Sequence, residues 1–458
     1  MKRFLAILLA LLLVVALFGC GSKGTQGSGG DKGPTQQPSQ PSTSEPTGTG
    51  GQQEDSGPKY PKVAGYYDPD FDYTKFPKYK VAYLSISAGE AFAAFDVAYE
   101  NWAKKVNMDY TRMWAPTQYS AEEFISGMQT FIDQGYDGLI LEAGIQNYER
   151  VNEILSEQDI QWVSGLGAAR VMSENRLLRP QIGFDRRDLG KMTVDTLIQW
   201  KEETWPDVPW EKVGMLVIDY SYNPDTHVLA LGMEQRWVEL FPQFGSYDPA
   251  PDKNPENFYI ADLATATNPD QTAAQNLATQ FLSNPPKDIE VWLIPTPADL
   301  YSVGAANAAE KLGMTDRVCT ACQGGGALAG RWDSGIDDAW RFGCITSQQI
   351  YGELIINMLW AFMSGQATPD TIYPEWVDVN DKGDVKDENG NVVEEHFYAK
   401  VLLPVQIISK DNYKEYLEWC DLYAYGPGQK GDYDYEPVTD INLFPSKVEP
   451  PESYKIKQ

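Results

Sequence analysis

Residues 120–144, SAEEFISGMQTFIDQGYDGLILEAG, place an amphipathic helix pattern directly before a short apolar strand pattern. Ser120 and Glu123 have the spacing of a capping box, in which each side chain satisfies a backbone N–H at the start of a helix. Apolar residues recur at three- and four-residue spacing until Gly135, and a glycine there is typical of a helix end. The following DGLILEAG is typical of a buried strand. A helix joined to a strand by so short a connection indicates an α/β fold.

The same alternation extends along most of the chain. It begins with KVAYLSI at Lys80 and starts again with KVGMLVIDY at Lys212, which gives two similar α/β units of roughly 100–160 residues. Near the end of the second unit, the pattern predicts a short helix over 334–343 and a strand over 344–349. In each unit, the alternation of strands and helices predicts a parallel sheet with helices on both faces. Because open α/β sheets bind ligands beyond the carboxyl ends of their strands, two facing sheets would form a binding cleft.

The chain starts with the pattern of a signal peptide. Lys2 and Arg3 precede a run, residues 4–18, that contains no charge, glycine or proline. The run is short for a membrane span, which needs about 20 apolar residues. Residues 17–20, LFGC, resemble the lipobox of bacterial lipoproteins, although the second residue is bulkier than usual. The resemblance implies cleavage before Cys20 and acylation of that cysteine. An ordinary secretory signal and an uncleaved anchor are the alternatives.

Residues 21–58 contain no aromatic residue and no Leu, Ile, Val or Met. Such a segment cannot bury enough apolar surface to offset the entropy of ordering, so we expect it to be disordered. As a random coil it would span roughly 35 Å from end to end. The lipidated cysteine and this tether predict an extracytoplasmic protein, anchored by lipid to the outer face of the cell membrane or in the periplasm.

Charge and histidine content exclude some classes of protein. The 458 residues carry a formal net charge of −28, whereas a nucleic-acid-binding protein needs a basic face, so we expect no nucleic-acid partner. His227 and His396 are the only histidines in the sequence. Neither lies near a nucleophile signature, so we expect no enzyme, no cofactor and no metal site.

The cysteines leave several states open. Cys319 and Cys322 form one C-x-x-C, with Cys344 and Cys420 elsewhere. A structural zinc site usually needs four ligands at tight spacing, which this pattern lacks. Strand alternation places Cys319 and Cys322 on opposite faces. Buried free thiols, a disulfide and a metal-binding pair are the alternatives.

Residues 378–391, DVNDKGDVKDENGN, have oxygen-bearing side chains at alternate positions, as in a calcium loop. Lys382, however, occupies a position that should supply an oxygen ligand, and no Glu stands at the twelfth place. We therefore expect a solvated hairpin within an insertion.

Four segments together carry a family resemblance: YDGLILEAG, IGFDRRDLGKM, ADLYSVGAANAAEKLG and FGCITSQQIYGELIINML. In this order and spacing, the chain from Lys80 to Tyr416 resembles the type I periplasmic solute-binding proteins, the sugar binders of ABC importers. The resemblance implies two Rossmann-like lobes, three hinge crossings and a solute trapped by closure of the lobes. It also implies a membrane permease as partner, and we expect a monomer.

The residue patterns and the resemblance together give the predicted domain boundaries. They are 1–19 for the signal peptide, 20–58 for the lipidated cysteine and tether, 78–184 with 348–368 for the N-terminal lobe, 185–347 with 399–425 for the C-terminal lobe, 369–398 for an inserted hairpin, and 426–458 for an irregular tail.

The resemblance, together with the ends of the predicted strands, gives the candidate solute-binding positions. These are Phe92, Glu142, Arg170, Asp185, His227, Asp299, Gln323 and Gln348. Phe92 falls where the family stacks an aromatic ring on a sugar face, or it is a core residue of its helix. Glu142 and Arg170 follow strand ends and could bind hydroxyls or remain solvated. Asp185 could contact the solute or cap the next helix.

Three polar positions of the family are changed in this chain. His227 stands where sugar binders often carry Arg, Ala298 replaces an Asn, and Gln323 replaces an Asp. A ribose- or galactose-like binding pattern is therefore not carried over. The solute is an altered sugar, an oligosaccharide, a nucleoside or another polar small molecule. A sensor subunit that feeds a membrane receptor is the alternative function, and a catalytic lipoprotein using His227 is the third.

Overall fold

A computed structural model describes the chain from residue 58 to residue 414, with short gaps within that span. The gaps are 86–89, 115–120, 143–147, 166–167, 172–175, 248–253, 267–268, 378–382, 387–390 and 404. The predicted signal peptide, Cys20, the tether up to residue 57, the tail and Cys420 lie outside the described residues.

The N-terminal lobe begins with regularly alternating strands and helices. They are β1 (Lys80–Ser85), α1 (Glu90–Lys105), β2 (Asp109–Trp114), α2 (Ala121–Asp133), β3 (Gly138–Leu141), α3 (Tyr148–Glu157), β4 (Gln161–Ser164), β5 (Arg170–Val171), β6 (Arg176–Leu177) and β7 (Gln181–Gly183). A parallel sheet has the order β2-β1-β3-β4. Alternate side chains of its strands enter separate cores on the two faces, one against α1 and the other against α2 and α3. The helix and strand predicted from residues 120–144 are confirmed as α2 and β3.

The C-terminal lobe repeats the arrangement. Its elements and those that follow are α4 (Arg186–Thr204), β8 (Val213–Asp219), α5 (Pro224–Leu240), β9 (Phe258–Asp262), α6 (Gln271–Ser283), β10 (Val291–Thr296), α7 (Asp299–Lys311), β11 (Val318–Gln323), α8 (Gly326–Asp333), β12 (Trp340–Ile345), α9 (Gln348–Ser364), β13 (Val385–Lys386), β14 (Val392–Glu394), β15 (Lys400–Leu402) and β16 (Gln406–Ile408). The sheet order is β16-β12-β11-β10-β8-β9, and β16 is its antiparallel edge strand. Helices α4 and α5 cover one face, and α6, α7 and α8 cover the other.

Short 3₁₀ turns punctuate the connections. They are Tyr73–Lys75, Trp210–Lys212, Pro242–Phe244, Leu263–Thr265 and Pro374–Trp376.

The chain passes between the lobes at three places. The first crossing leads from β7 into α4, the second from β12 into α9, and the third from β15 into β16. Strands β7 and β15 pair in parallel, so the first and third crossings lie side by side. After the second crossing, α9 packs on α1, β3 and β4 and so returns to the N-terminal lobe. The predicted two-lobed α/β fold with three crossings is confirmed.

The structure corrects the prediction for residues 334–349. A helix was expected over 334–343, but α8 ends at Asp333, and the strand β12 already covers Trp340–Ile345. Tryptophan and phenylalanine in WRFGCI suit a strand whose inward face is buried, and Trp340 is fully buried there. The next helix, α9, starts at Gln348 because the Ser347 hydroxyl accepts a hydrogen bond from the Ile350 N–H and caps it.

Residues before β1 add an aromatic layer to the N-terminal lobe that the sequence analysis did not anticipate. Phe71, Tyr73 and Phe76 surround the nearly buried indole of Trp360 on α9, with ring centroids 6.0, 5.1 and 5.0 Å from it. Such edge-on aromatic contacts stabilise a core beyond their area burial. The layer therefore ties the start of the described chain to the second crossing helix.

The cysteines that the structure describes are buried free thiols. Cys319 and Cys322 of β11 enter the cores on opposite faces of the sheet, as strand alternation predicts, and Cys344 lies on the face of Cys319. Burial raises the pKa of Cys344 to about 12. In the predicted insertion, residues 369–398, β13 and β14 pair as an antiparallel hairpin. Most of residues 378–391, the segment with the pattern of a calcium loop, lies outside the described residues. No described helix is long and apolar enough to cross a membrane.

Candidate functional site

Polar side chains meet at the carboxyl edge of the N-terminal sheet. Leu84 of β1 is in register with Leu141 of β3, so the next residues, Ser85 and Glu142, lie side by side at that edge. Glu142 is fully buried, and the phenolic hydroxyl of Tyr83 donates a hydrogen bond to its carboxylate. The pKa of Tyr83 is raised well above its usual range, first by burial and then by the neighbouring carboxylate. The predicted site residue Glu142 thus lies at a strand end and is held there by a neighbouring strand.

The carboxyl edge of the C-terminal sheet carries a second polar row. Asp219 ends β8 and pairs in register with Asp262 of β9, and Gln323 ends β11 in register with Cys344 of β12. The register of β8, β10 and β11 puts Asp219 and Gln323 at the same level with one strand between them. With strands 4.7–4.9 Å apart, their Cα atoms are about 10 Å apart.

His227 lies on the first turns of α5 and faces Asp219. Its Nδ1 is 2.7 Å from Asp219 Oδ2, and the carboxylate is almost completely buried while the imidazole is 39% exposed. The hydrogen bond that His227 donates to Asp219 raises the pKa of His227, the negative charges of Asp219, Asp262 and Glu234 add to the effect, and burial opposes it. His227 is therefore a partly exposed, readily protonated group at the strand edge.

Asp262, which the sequence analysis did not select, is engaged by the loop after β8. Its carboxylate accepts hydrogen bonds from the Ser221 N–H at 3.1 Å, the Ser221 hydroxyl at 2.5 Å and the Ala264 N–H at 2.9 Å. Three protein donors on one carboxylate fix the β8 loop against the end of β9. This arrangement holds the segment that leads into the helix of His227.

Arg186 was also missed, and it contacts a predicted site residue. Arg186 opens α4, and its Nη1 donates to Gln323 Oε1 at 2.6 Å. The preceding Asp185, a predicted solute ligand, accepts hydrogen bonds from the N–H groups of Arg187 and Asp188. Asp185 is therefore the N-cap of α4, which is the second of the two roles predicted for it from the sequence. The capped helix directs the guanidinium of Arg186 to the end of β11.

Asp299 binds protein atoms on the other face of the sheet. Its carboxylate accepts a hydrogen bond from the Cys322 thiol at 3.2 Å and another from the Ala327 N–H at 3.1 Å. These contacts hold the turn between β11 and α8, in which Gly324 and Gly325 have positive φ. Asp299 thus positions the turn that follows Gln323.

Gln348 lies at the second crossing, on the first turn of α9. The residue is 7% exposed, and its Oε1 atom is buried without a hydrogen-bond donor among the residues that the structure describes. A buried amide oxygen without a donor costs about 1–3 kcal/mol, which a donor from outside the protein would offset. This is the property expected of a ligand-binding acceptor.

Two predicted site residues, Phe92 and Arg170, have no described position at the carboxyl edges of the two main sheets. Phe92 lies in the first turn of α1, and its side chain lies outside the described part of the structure. Arg170 is half-buried in β5, a two-residue strand that pairs with β6 beyond the main sheet. The solute contacts of both remain predictions.

Helices α4 and α5 are in close backbone contact near their amino ends. A Cβ atom on Gly190 would lie 2.3 Å from the carbonyl oxygen of Leu229, and one on Gly232 would lie 2.2 Å from that of Arg187. Further along, Arg236 bonds Asp195 at 2.7 Å, so both helices run in the same direction. This register, continued towards the amino ends, brings Arg186 level with His227.

The sequence signals for the missed residues were available in part. Asp219 and Asp262 both end apolar strand patterns, which is the position that selected Glu142. Arg186 follows the capping Asp185 directly in the sequence. Only the packing of α4 against β11 in the structure shows that the Arg186 side chain reaches Gln323. No group of His, Cys, Asp and Glu suited to a metal ion occurs in the described part of the chain.

Two surface cavities lie away from these strand edges. One of about 360 Å³ is lined by Trp332 and residues 410–414, and one of about 240 Å³ by residues 62–63 and 66–70. Neither contains a predicted site residue, so we place the candidate site at the two carboxyl edges. Helix α1 of the N-terminal lobe and α8 of the C-terminal lobe lie in contact, so these edges belong to facing sides of the lobes.

Comparison with known proteins identifies the family. Residues 81–367 match the family described as periplasmic binding protein domain. The match covers well over half of the chain, which therefore belongs to this family and has its type I, two-lobed α/β fold. No curated protein matches the chain significantly in sequence.

Solved structures share the fold at low sequence identity. A protein of Mycobacterium smegmatis in complex with β-D-fucofuranose is 14% identical, with a TM-score of 0.54 over 76% of this chain and 97% of that chain. LsrB from Clostridium saccharobutylicum in complex with AI-2 is 16% identical, with a TM-score of 0.56 over 74% and 99%. A solute-binding protein of Actinobacillus succinogenes with bound D-allose is 16% identical, with a TM-score of 0.53 over 74% and 100%.

Proposed function

We propose that this protein is the solute-binding lipoprotein of an ABC importer and that it captures a sugar-like polar solute between its lobes. The membership in the periplasmic binding protein family and the fold shared with sugar-bound proteins support the class of solute. The LFGC motif at Cys20 and the polar tether support the lipid anchor. In this proposal the protein catalyses no reaction and hands its solute to a membrane permease.

The observation that carries the proposal is the pair of polar rows at the carboxyl edges. Ser85 and Glu142 lie on the edge of one lobe, and Asp219 and Gln323 lie level with each other on the edge of the other. Ligands of open α/β sheets bind at such edges. A polar solute between the lobes would meet hydrogen-bonding groups on both sides.

The crossings supply a hinge for capture. The Leu403 N–H donates to the Gly183 carbonyl at 2.6 Å, and the Tyr351 hydroxyl donates to the Ile182 carbonyl at 2.9 Å. These bonds tie the three crossings into one unit, about which the lobes can rotate as rigid bodies. The solute stabilises the closed form in proportion to its better binding there, so affinity and closure are coupled. The unpaired Gln348 oxygen beside the hinge would accept from a solute hydroxyl.

A thermal-shift screen tests the class of solute. The full chain in detergent would be heated with sugars, sugar acids, nucleosides, amino acids and short peptides, and unfolding followed by the fluorescence of its 13 tryptophans. A solute at 100 times its Kd adds about 2.7 kcal/mol to the free energy of unfolding, which is a clear rise in melting temperature. We expect a saccharide to produce the rise and Phe92→Ala to remove it. A rise with nucleosides or peptides alone would contradict the sugar assignment.

Metabolic labelling tests the anchor. Cells fed a radiolabelled or clickable fatty acid should label the wild-type protein, while Cys20→Ser should stay unlabelled. Equal labelling of the two proteins would overturn acylation at Cys20.

Cross-linking of the solute-loaded protein in membranes, followed by mass spectrometry, tests the partner. It should recover a permease, and recovery of a receptor instead would favour the sensor alternative. Size-exclusion chromatography with light scattering tests the expected monomer.

A further inference from the structure

The carboxylates around the candidate site all accept hydrogen bonds from groups of the protein. Asp185 caps α4, Asp219 binds the imidazole of His227, and Asp262 binds Ser221 and Ala264. Asp299 accepts from Cys322 and Ala327, and the Glu142 carboxylate accepts from Tyr83. In neutral-sugar recognition, carboxylates serve as acceptors for solute hydroxyls. Here each of these carboxylates also holds a strand, a helix or a turn of the protein in place.

Cations, in contrast, are placed at the same edge. Arg186 and His227 lie on the first turns of two neighbouring helices, level with each other, and both are only partly buried. Each is anchored to the strand row, Arg186 by Gln323 and His227 by Asp219. Their anchoring residues are about 10 Å apart across the sheet, with one strand between them.

We infer that the solute carries an oxyanion, a carboxylate or a phosphate on a sugar-like body, and that Arg186 and His227 of the C-terminal lobe bind it. This inference rests on the proposed function, because it names the solute class of that same cleft. A guanidinium matches the planar geometry of a carboxylate or the oxygens of a phosphate. The imidazolium of His227 supplies a second donor from Nε2, because its Nδ1 is committed to Asp219.

The charge of the whole chain makes a dedicated cationic site necessary for such a solute. The formal net charge is −28, so the long-range field of the protein opposes the approach of an anion. An anion is held only where local cations outweigh that field at close range. At this edge, Arg186 and His227 are residues that can supply such positive charge.

Protonation of His227 gives the inference a pH signature. The groups that act on this imidazole are Asp219 of β8, Asp262 of β9 and Glu234 of α5, and together with the hydrogen bond to Asp219 they raise its pKa. An anionic solute would add to this effect, so binding should be accompanied by proton uptake. Affinity should fall as the pH rises through the pKa of His227.

Titration calorimetry with matched pairs tests the inference on the full chain in detergent. The pairs are D-galactose with D-galacturonate, D-glucose with glucose 6-phosphate, and D-ribose with ribose 5-phosphate. We expect at least one anionic member to bind roughly tenfold or more tightly than its neutral partner, in keeping with charge-assisted hydrogen bonds. The uronate and phosphate arms identify which oxyanion the site prefers. The preference should weaken from pH 6 to pH 9.

Variants separate recognition from folding. Arg186→Gln should remove most of the preference for the anion, while Arg186→Lys keeps the positive charge and should retain part of it. Arg187→Gln is the matched control, because Arg187 is the next residue of α4 and donates to the Tyr247 hydroxyl at 2.9 Å instead of to Gln323. His227→Gln should abolish the pH dependence for the uronate, whose carboxylate stays ionised from pH 6 to pH 9. Melting temperatures close to the wild type show that each variant is folded.

The outcomes distinguish this inference from the proposed function. Equal or tighter binding of the neutral sugars overturns the anionic solute and leaves a sugar-binding importer protein standing. Equal losses in Arg186→Gln and Arg187→Gln would also overturn it, because the effect would not come from the strand edge. If neither neutral nor anionic sugars bind and a nucleoside or peptide does, both proposals are wrong.

Discussion

Replacing Gly232 by alanine tests the close packing of α4 and α5, on which the placement of Arg186 and His227 depends. The added Cβ atom would lie 2.2 Å from the Arg187 carbonyl oxygen, whereas ordinary contact begins near 3.4 Å. The two helix backbones would therefore have to separate by about 1 Å. Overpacking of this kind costs about 1–3 kcal/mol, and a backbone obstacle places this case at the upper end. The gain in helix propensity from glycine to alanine offsets only about 1 kcal/mol.

We therefore expect Gly232→Ala to lower the free energy of unfolding by about 2 kcal/mol. Gly330→Ala is the matched control, because Gly330 lies exposed in α8 with no atom within 4 Å of its added Cβ. The same chemical change should there raise stability by up to about 1 kcal/mol. Urea unfolding followed by tryptophan fluorescence measures both. If Gly232→Ala is as stable as the wild type or more stable, the close contact of the two helices is wrong.

Three further predictions concern other parts of the chain. The pKa of His227 is raised from 6.5, so the wild type should be more stable than His227→Gln below pH 6.5. This advantage should disappear as the pH rises through the raised pKa. An equal difference in urea midpoint between the two proteins at pH 5.5 and pH 9 would contradict the prediction. In a protein whose Cys20 and Cys420 are replaced by serine, the remaining buried thiols should react with a thiol reagent only after unfolding, and rapid reaction of the native protein would show that they are accessible. Trp360→Ala should lower the free energy of unfolding by about 3–5 kcal/mol. Tyr222→Ala, at a side chain that is 58% exposed, should lower it by less than about 0.5 kcal/mol. Similar losses in the two variants would refute the aromatic layer on α9.

Periodicity was sufficient to predict most of the fold. Apolar strands such as β8 and β10 are buried on both faces, so their sequences are continuous apolar runs that stand out between amphipathic helices. The pattern failed at residues 334–349, where the charged residues of the connection between α8 and β12 suggested a helix. The burial of Trp340, which decides the strand, depends on its packing against residues distant in sequence.

The site was predictable only in part, because its contacts are made across strands. Glu142 was selected because it follows a strand pattern, Gln348 because it falls at a crossing, and His227 and Gln323 because they match positions of the family. In the structure Glu142 follows β3, Gln323 ends β11, His227 lies near the start of α5 and Gln348 begins α9. Arg186 and Asp262 gain their significance from partners 137 and 41 residues away in the chain. The engagement of Asp185 and Asp299 by backbone N–H groups likewise requires coordinates, since a capping aspartate and a binding aspartate have the same sequence signature.

The aromatic layer before β1 was missed for a related reason. Residues 60–76 contain tyrosines and phenylalanines without helical or strand periodicity, so no element was predicted there. Their order comes from packing on Trp360 and from the Tyr373 hydroxyl, which donates to the Gly65 carbonyl at 2.7 Å. Such contacts join segments about 300 residues apart and leave no local pattern.

The most direct test of the account is whether the lobes close on the solute. Arg150 and Asp188 are exposed, lie in the first turns of α3 and α4, and so mark the carboxyl edge of each lobe. Cysteines at these two positions, in a protein with Cys20 and Cys420 replaced by serine, would carry a donor and an acceptor dye. We predict that the solute found by the thermal-shift screen increases energy transfer between the dyes, with a midpoint equal to its Kd. A solute that binds at full occupancy and leaves the transfer unchanged would contradict capture by lobe closure.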